Sequence, residues 1–122
     1  VNNVTDMYKM FFRSKFNGDI SNWNVSNVEN MKFMFSASEF NSDISKWDVS
    51  KVEDMFWMFD NSKFNGDISN WNVSNVEDMT NMFRDSNFNS DISKWDVTSV
   101  KYYDNMFKDC PIKEEYKPKF KK

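Results

Sequence analysis

Asp19, Asp43, Asp67 and Asp91 stand 24 residues apart, and each follows an asparagine by two positions, so a chain coiling with that period lines up four carboxylates. Rows of carboxylate and amide oxygens suit hard cations such as calcium. The same Asn-x-Asp pattern also makes Asx turns, in which a side chain caps nearby backbone and organises a bend, and that is the expected role. Other sources of chemistry are thinner. The chain has no histidine, which removes His-based nucleophilic triads and the commonest transition-metal ligand. Its two glycines, Gly18 and Gly66, cannot make a phosphate-cradling loop. Cys110 falls in the column of Ser14, Ser38, Ser62 and Ser86 and reads as a small turn residue rather than a nucleophile. A catalytic centre in a repeat array should interrupt the period with acids or nucleophiles, and no such cluster is seen. The expectation is a non-enzymatic protein with no catalytic residues, no cofactor and no metal site.

The period that positions these residues runs through the chain. Trp23, Trp47, Trp71 and Trp95 repeat at 24, as do Phe16, Phe40, Phe64 and Phe88, then Ile20, Ile44, Ile68 and Ile92. The second half of the unit already occurs at Val1, Val4, Met7, Met10 and Phe11, giving about five turns. A period of 48 overlies the first, with Gly18 and Gly66 alternating with Ser42 and Ser90, which points to growth by duplicating a two-repeat unit. Because the first residues already fit the repeat, the chain is expected to be a fragment or a processed piece.

Within a unit, Trp23-Asn24-Val25 alternates apolar and polar side chains, as a short strand does. Ser26 and Glu29 then make a Ser-x-x-Glu capping box, repeated at Ser50 and Glu53 and at Ser74 and Glu77, while Thr98 and Lys101 keep only the cap. Val28, Met31, Met34 and Phe35 follow at spacings of three and four, the stripe of an amphipathic helix. The predicted architecture is an α/β solenoid, leucine-rich-repeat-like, with one short parallel strand and one short helix per 24-residue turn. Residues 1–112 form the repeat array and residues 113–122 a C-terminal cap with a basic tail.

Composition agrees with a folded array. Hydrophobic residues make up 39% of the 122 and aromatic residues 18%, too many for disorder, and with no leucine the interior falls to Val, Ile, Met, Phe and Trp. The net charge of −3 includes five lysines against two glutamates in residues 113–122, so the body is acidic and nucleic acid is not an expected partner. A lone cysteine excludes an intrachain disulfide, no apolar run spans a membrane, and Val1-Asn2-Asn3-Val4 is not a signal peptide.

The Trp-x-Val followed by Val-x-x-Met-x-x-Met-Phe, recurring in register from Val1 to Ile112, resembles the BspA-like bacterial surface repeat family, also known as DUF285. Tyr103 departs from the pattern by replacing a methionine. The resemblance implies a cell-surface or secreted protein that mediates adhesion or protein interaction. A structural subunit that self-assembles through open coil ends or an exposed aromatic patch is the alternative.

Two surfaces are candidate contacts. On the strand side, Asn22, Asn24, Lys46, Asp48, Asn70, Asn72, Lys94 and Asp96 point away from the core, either as a solvated face or as a weak, avid contact surface. On the helix side, Phe33 and Trp57 fall nearly opposite the apolar stripe, with Tyr8 and Phe56 beside them. Such an aromatic patch marks a protein partner or packs against a preceding repeat. The tryptophan column alternates with Val25, Val49, Val73 and Val97 and is expected to face the core rather than stack on sugar. Lys113 to Lys122, with Tyr116 and Phe120 interleaved, reads as a cap with a solvated tail.

Overall fold

In the computed structural model, residues 3–120 are described; Val1, Asn2, Lys121 and Lys122 lie outside them. The apolar columns meet in one continuous core. Val28, Met31, Met34 and Phe35, with their equivalents Val52, Met55, Met58 and Phe59 and Val76, Met79, Met82 and Phe83, are completely enclosed. Phenylalanines stack coil upon coil, Phe35 on Phe59 and Phe59 on Phe83 at 5.5 Å, with nearly parallel ring planes. The parallel column closes against it within each coil, Phe35 to Phe40 at 4.5 Å and Phe59 to Phe64 at 4.7 Å. Each fully buried Phe of this kind contributes about 1.5–3 kcal/mol.

The tryptophan column also faces in. Trp47, Trp71 and Trp95 are buried and stack at 6.5 Å, and each indole N–H donates to the carbonyl of an isoleucine one coil back, Ile20, Ile44 and Ile68, at 3.0–3.1 Å. The ring thus fills the core and its polar tip links neighbouring coils.

The expected secondary structure is overturned. Among the described residues there is no α-helix and no extended strand; the single helical element is a 3-10 turn, Glu114–Tyr116. The α/β solenoid, with its leucine-rich-repeat-like strand and its helix in each unit, is therefore corrected to a stack of linked turns. Where a strand was expected, Trp23 donates to Ile20 O and Val28 to Val25 O, two consecutive turns. Parallel pairing occurs instead in the half expected to be helical, as isolated bridges joining Asp6 to Asn30, Asn30 to Asp54, Asp54 to Asp78 and Asp78 to Tyr102.

The reason lies in the backbone. Phe33 and Ala37 have φ of 59° and 53°, and the same two columns are left-handed in every coil, at Lys9 and Arg13, Trp57 and Asn61, Asn81 and Asp85, Asn105 and Asp109. A left-handed residue every fourth position ends any α-helix and links one β-turn to the next. Met34 donates to Met31 O and Ser36 to Phe33 O within the coil. The alternate N–H groups of Met31, Phe33, Phe35 and Ala37 then point sideways, to the carbonyls of Asp54, Phe56, Met58 and Asp60 in the next coil at 2.8–3.1 Å. A helix would use those donors internally and leave neighbouring coils unbonded. The turns still put apolar side chains inward at spacings of three and four.

The capping box dissolves with the helix. Ser26 Oγ donates to Asn24 Oδ1 at 2.6 Å, and Glu29 is exposed while its N–H bonds Thr5 O in the preceding coil. Behind Ile112, which is buried, the tail packs on the last coil: Ile92 N donates to Tyr116 O, and Phe120 stacks on Tyr103 at 3.9 Å.

Candidate aromatic and acidic interface

The aspartate row behaves as turn chemistry. Asp19, Asp43, Asp67 and Asp91 each accept the N–H of the serine two residues on at 2.8–3.0 Å. Those serine bonds stabilise the charged form and lower all four carboxyls below the usual aspartate value, against a smaller desolvation and, at Asp19 and Asp67, repulsion from the neighbouring aspartates. Among the described residues no three acids or cysteines gather as a metal-ion cluster. The asparagines two places earlier do something else. Asn17 Oδ1 accepts from Asn41 N, Asn41 from Asn65, Asn65 from Asn89 and Asn89 from Lys113, an amide ladder that pins each coil to the next.

Asn22, Asn24, Lys46, Asp48, Asn70, Asn72, Lys94 and Asp96 are all exposed, on turns rather than on a sheet. Four of them organise those turns: Asn24, Asp48, Asn72 and Asp96 accept the N–H of Ser26, Ser50, Ser74 and Thr98 at 3.0–3.1 Å. The Asp48 carboxyl is lowered by its Ser50 bonds.

Tyr8, Phe33, Phe56 and Trp57 come together. Phe33 stands at the centre, 6.0 Å from Tyr8, 5.6 Å from Phe56 and 5.5 Å from Trp57, with Phe12 a further 6.0 Å neighbour. Tyr8 is 49% exposed, while Phe33, Phe56 and Trp57 are half-buried by one another rather than standing free. They belong to columns that face outward from the turns. Three cations lie on these rings: Lys9 Nζ sits 5.0–5.7 Å from the centroids of Tyr8, Phe12 and Phe33, Arg13 lies over Phe12 at 5.0 Å, and Arg84 over Trp57 at 5.1 Å.

Beside Trp57 the repeat breaks further. Asp60, buried, lies in the column of Ser36 and forms an ion pair with Arg84, Oδ1 to Nε 3.1 Å, without hydrogen-bond alignment. Burial raises the Asp60 carboxyl, only partly offset by the guanidinium. Trp57 Nε1 and Asn81 Oδ1 are buried with no hydrogen-bond partner. Sequence reasoning missed Asp60 and Arg84; their signal was the change of residue type down one column, from Phe12 and Ser36 to Asp60, Arg84 and Lys108.

A cleft of about 460 Å³ is lined by Tyr8, Phe33 and Phe56 together with Asp6, Asn30, Lys32 and Asp78. It shares Lys32 and Asp78 with a second cleft of about 360 Å³, which in turn shares Glu29, Glu53 and Glu77 with a third of about 350 Å³. The result is one groove across several coils, aromatic at one end and acidic along the rest. Lys32 pairs with Asp54 at 3.4 Å.

No curated protein and no solved structure matches the chain. The model of the family described as "Mycoplasma protein of unknown function, DUF285" matches residues 1–84 and again residues 37–116, and the chain belongs to that family.

Proposed function

We propose that the chain is a non-enzymatic interaction module that holds a protein partner on the aromatic patch of Tyr8, Phe33, Phe56 and Trp57. One observation carries this reading. Phe33 and Trp57 have φ of 59° and 60°, in a column where later coils use Asn81 and Asn105. Asparagine tolerates the left-handed region; a bulky aromatic residue there costs about 1–2 kcal/mol. Two successive coils accept that cost to display large rings, and strain of this kind collects at sites kept for something other than folding. Tyrosine, tryptophan and arginine are also the side chains that dominate binding energy at protein contacts. The non-enzymatic part draws support from the absence of histidine and from the use of the periodic aspartates in turns. The bacterial surface repeats that this one resembles suggest a cell-surface or secreted setting and a role in adhesion.

The test uses Phe33→Asn with Trp57→Asn, a pair the column already accommodates at Asn81 and Asn105. The variant should melt no lower than the parent and lose the surface proteins that immobilised parent captures. If parent and variant capture the same proteins, and neither changes its solution mass, the patch is not a contact surface.

A further inference from the structure

The groove beside the patch has a composition that selects a particular ligand chemistry. Six carboxylates line its three clefts, Asp6, Glu29, Glu53, Asp54, Glu77 and Asp78, against two lysines. Lys32 is paired with Asp54 at 3.4 Å, Lys51 donates to Asn27 Oδ1 at 3.1 Å, and Glu77 is itself paired with Lys101 at 3.6 Å, which leaves Asp6, Glu29, Glu53 and Asp78 without a cation partner among these pairs. Lys9 and Arg13 are not lining residues of the groove, although the Lys9 ammonium reaches the Tyr8 and Phe33 rings at 5.3 and 5.7 Å and offsets one carboxylate there. The unbalanced charge is therefore negative, and it adjoins ring faces and edges. Tyr8 and Phe56 both meet Phe33 edge-on, at interplanar angles of 86° and 63°, so differently oriented rings converge on one cleft. Rings and carboxylates lining one cleft are the environment that stabilises an ammonium or guanidinium group, by ring quadrupole and by charge together. The chain's own side chains use these rings that way: the Lys9 ammonium rests among three of them, and the Arg84 guanidinium lies over Trp57.

Resting on the interaction reading above, we propose that this groove binds an extended, lysine- or arginine-bearing segment of a protein partner, with one cationic side chain in the Tyr8–Phe33–Phe56 cleft and further ones along the glutamate row. The groove runs from the coil of Asp6 to the coil of Asp78, which at about 4.8 Å per coil gives about 14 Å, room for about four extended residues. Such a length takes several alternate side chains, more than a free small cation would occupy.

Calorimetric titration of the whole chain with a short peptide alternating lysine and serine, at low salt, tests this. A matched peptide with glutamate for lysine, and choline, serve as the other two probes. Binding of the lysine peptide should weaken as salt rises. Asp6→Asn with Asp78→Asn should weaken it about tenfold and leave the melting temperature in place, because Asn30 in the same column makes the same turn, Oδ1 accepting Lys32 N at 2.9 Å. Phe33→Asn should weaken it by a similar factor. The proposal is overturned if the glutamate peptide binds as well, if the substitutions leave the dissociation constant unchanged, or if choline binds as tightly as the peptide and displaces it. Should the lysine peptide fail while the Phe33→Asn, Trp57→Asn pair still loses captured proteins, the cationic chemistry falls and the interaction reading stands.

Discussion

Ala37 separates a stack of turns from a stack of helices by the sign of one substitution. In a helix interior, Ala37→Gly would cost about 1 kcal/mol, because glycine has more backbone freedom to lose. At the observed φ of 53°, alanine instead carries the steric cost of the left-handed region, about 1–2 kcal/mol, which glycine does not. Against that relief stands the added entropy of the unfolded chain, about 0.4–1 kcal/mol. The N–H to Asp60 O bond at 2.8 Å is kept, since it belongs to the backbone. The expected net effect is a gain of about 0.5–1 kcal/mol, read as a rise of about 2–5 °C in the thermal midpoint followed by tryptophan fluorescence. A fall of that size would place Ala37 in a right-handed helix and refute the turn architecture together with the sideways hydrogen bonds that depend on it.

Far-ultraviolet circular dichroism should lack the helical double minimum; a strong one would contradict the linked turns in the same way. Phe59→Ala, in a fully enclosed stack, should cost about 3–5 kcal/mol in urea unfolding, and Phe16→Ala, at 39% exposure on the edge of the same core, distinctly less; equal losses would mean that the stack is not the core. The carboxyls of Asp19, Asp43, Asp67 and Asp91 are lowered by their serine bonds, so the stability they confer is complete above the usual aspartate value of 3.8 and is lost as pH falls from there through their folded values. Replacing all four by asparagine should flatten the acid limb of the urea midpoint against pH, and an unchanged limb would deny the Asx bonds. Asp60 has the opposite sign: its raised carboxyl makes the fold lose stability as pH climbs from 3.8 through the raised value, and Asp60→Asn should remove that decline.

Period, core membership and the inward tryptophans were legible because identical residues at identical spacing must meet identical surroundings. Val28, Met31, Met34 and Phe35 are buried as the pattern requires, and Trp47, Trp71 and Trp95 lie with them. What the pattern does not distinguish is a helix from two β-turns joined by a left-handed residue, since both carry every third and fourth side chain to one side. A signal did exist: Asn81 with Asp85, and Asn105 with Asp109, place left-handed-tolerant, helix-averse residues four apart inside the supposed helix. Phe33, Ala37 and Trp57 in the earlier coils hid it.

The patch followed the same division. Its members were visible as exceptions to the columns, and the helical reasoning set Tyr8 and Phe56 beside an exposed Phe33 and Trp57, whereas the linked turns pack Phe33, Phe56 and Trp57 into a half-buried cluster. The sequence by itself determined which side chains are interior, because burial follows from side-chain chemistry repeated at a fixed step. Only the tertiary structure decided the local backbone and the acidic groove, because the hydrogen-bond partners of Met31, Phe33, Phe35 and Ala37 lie 23 residues further along the chain. Those partners become available only after the coils have stacked.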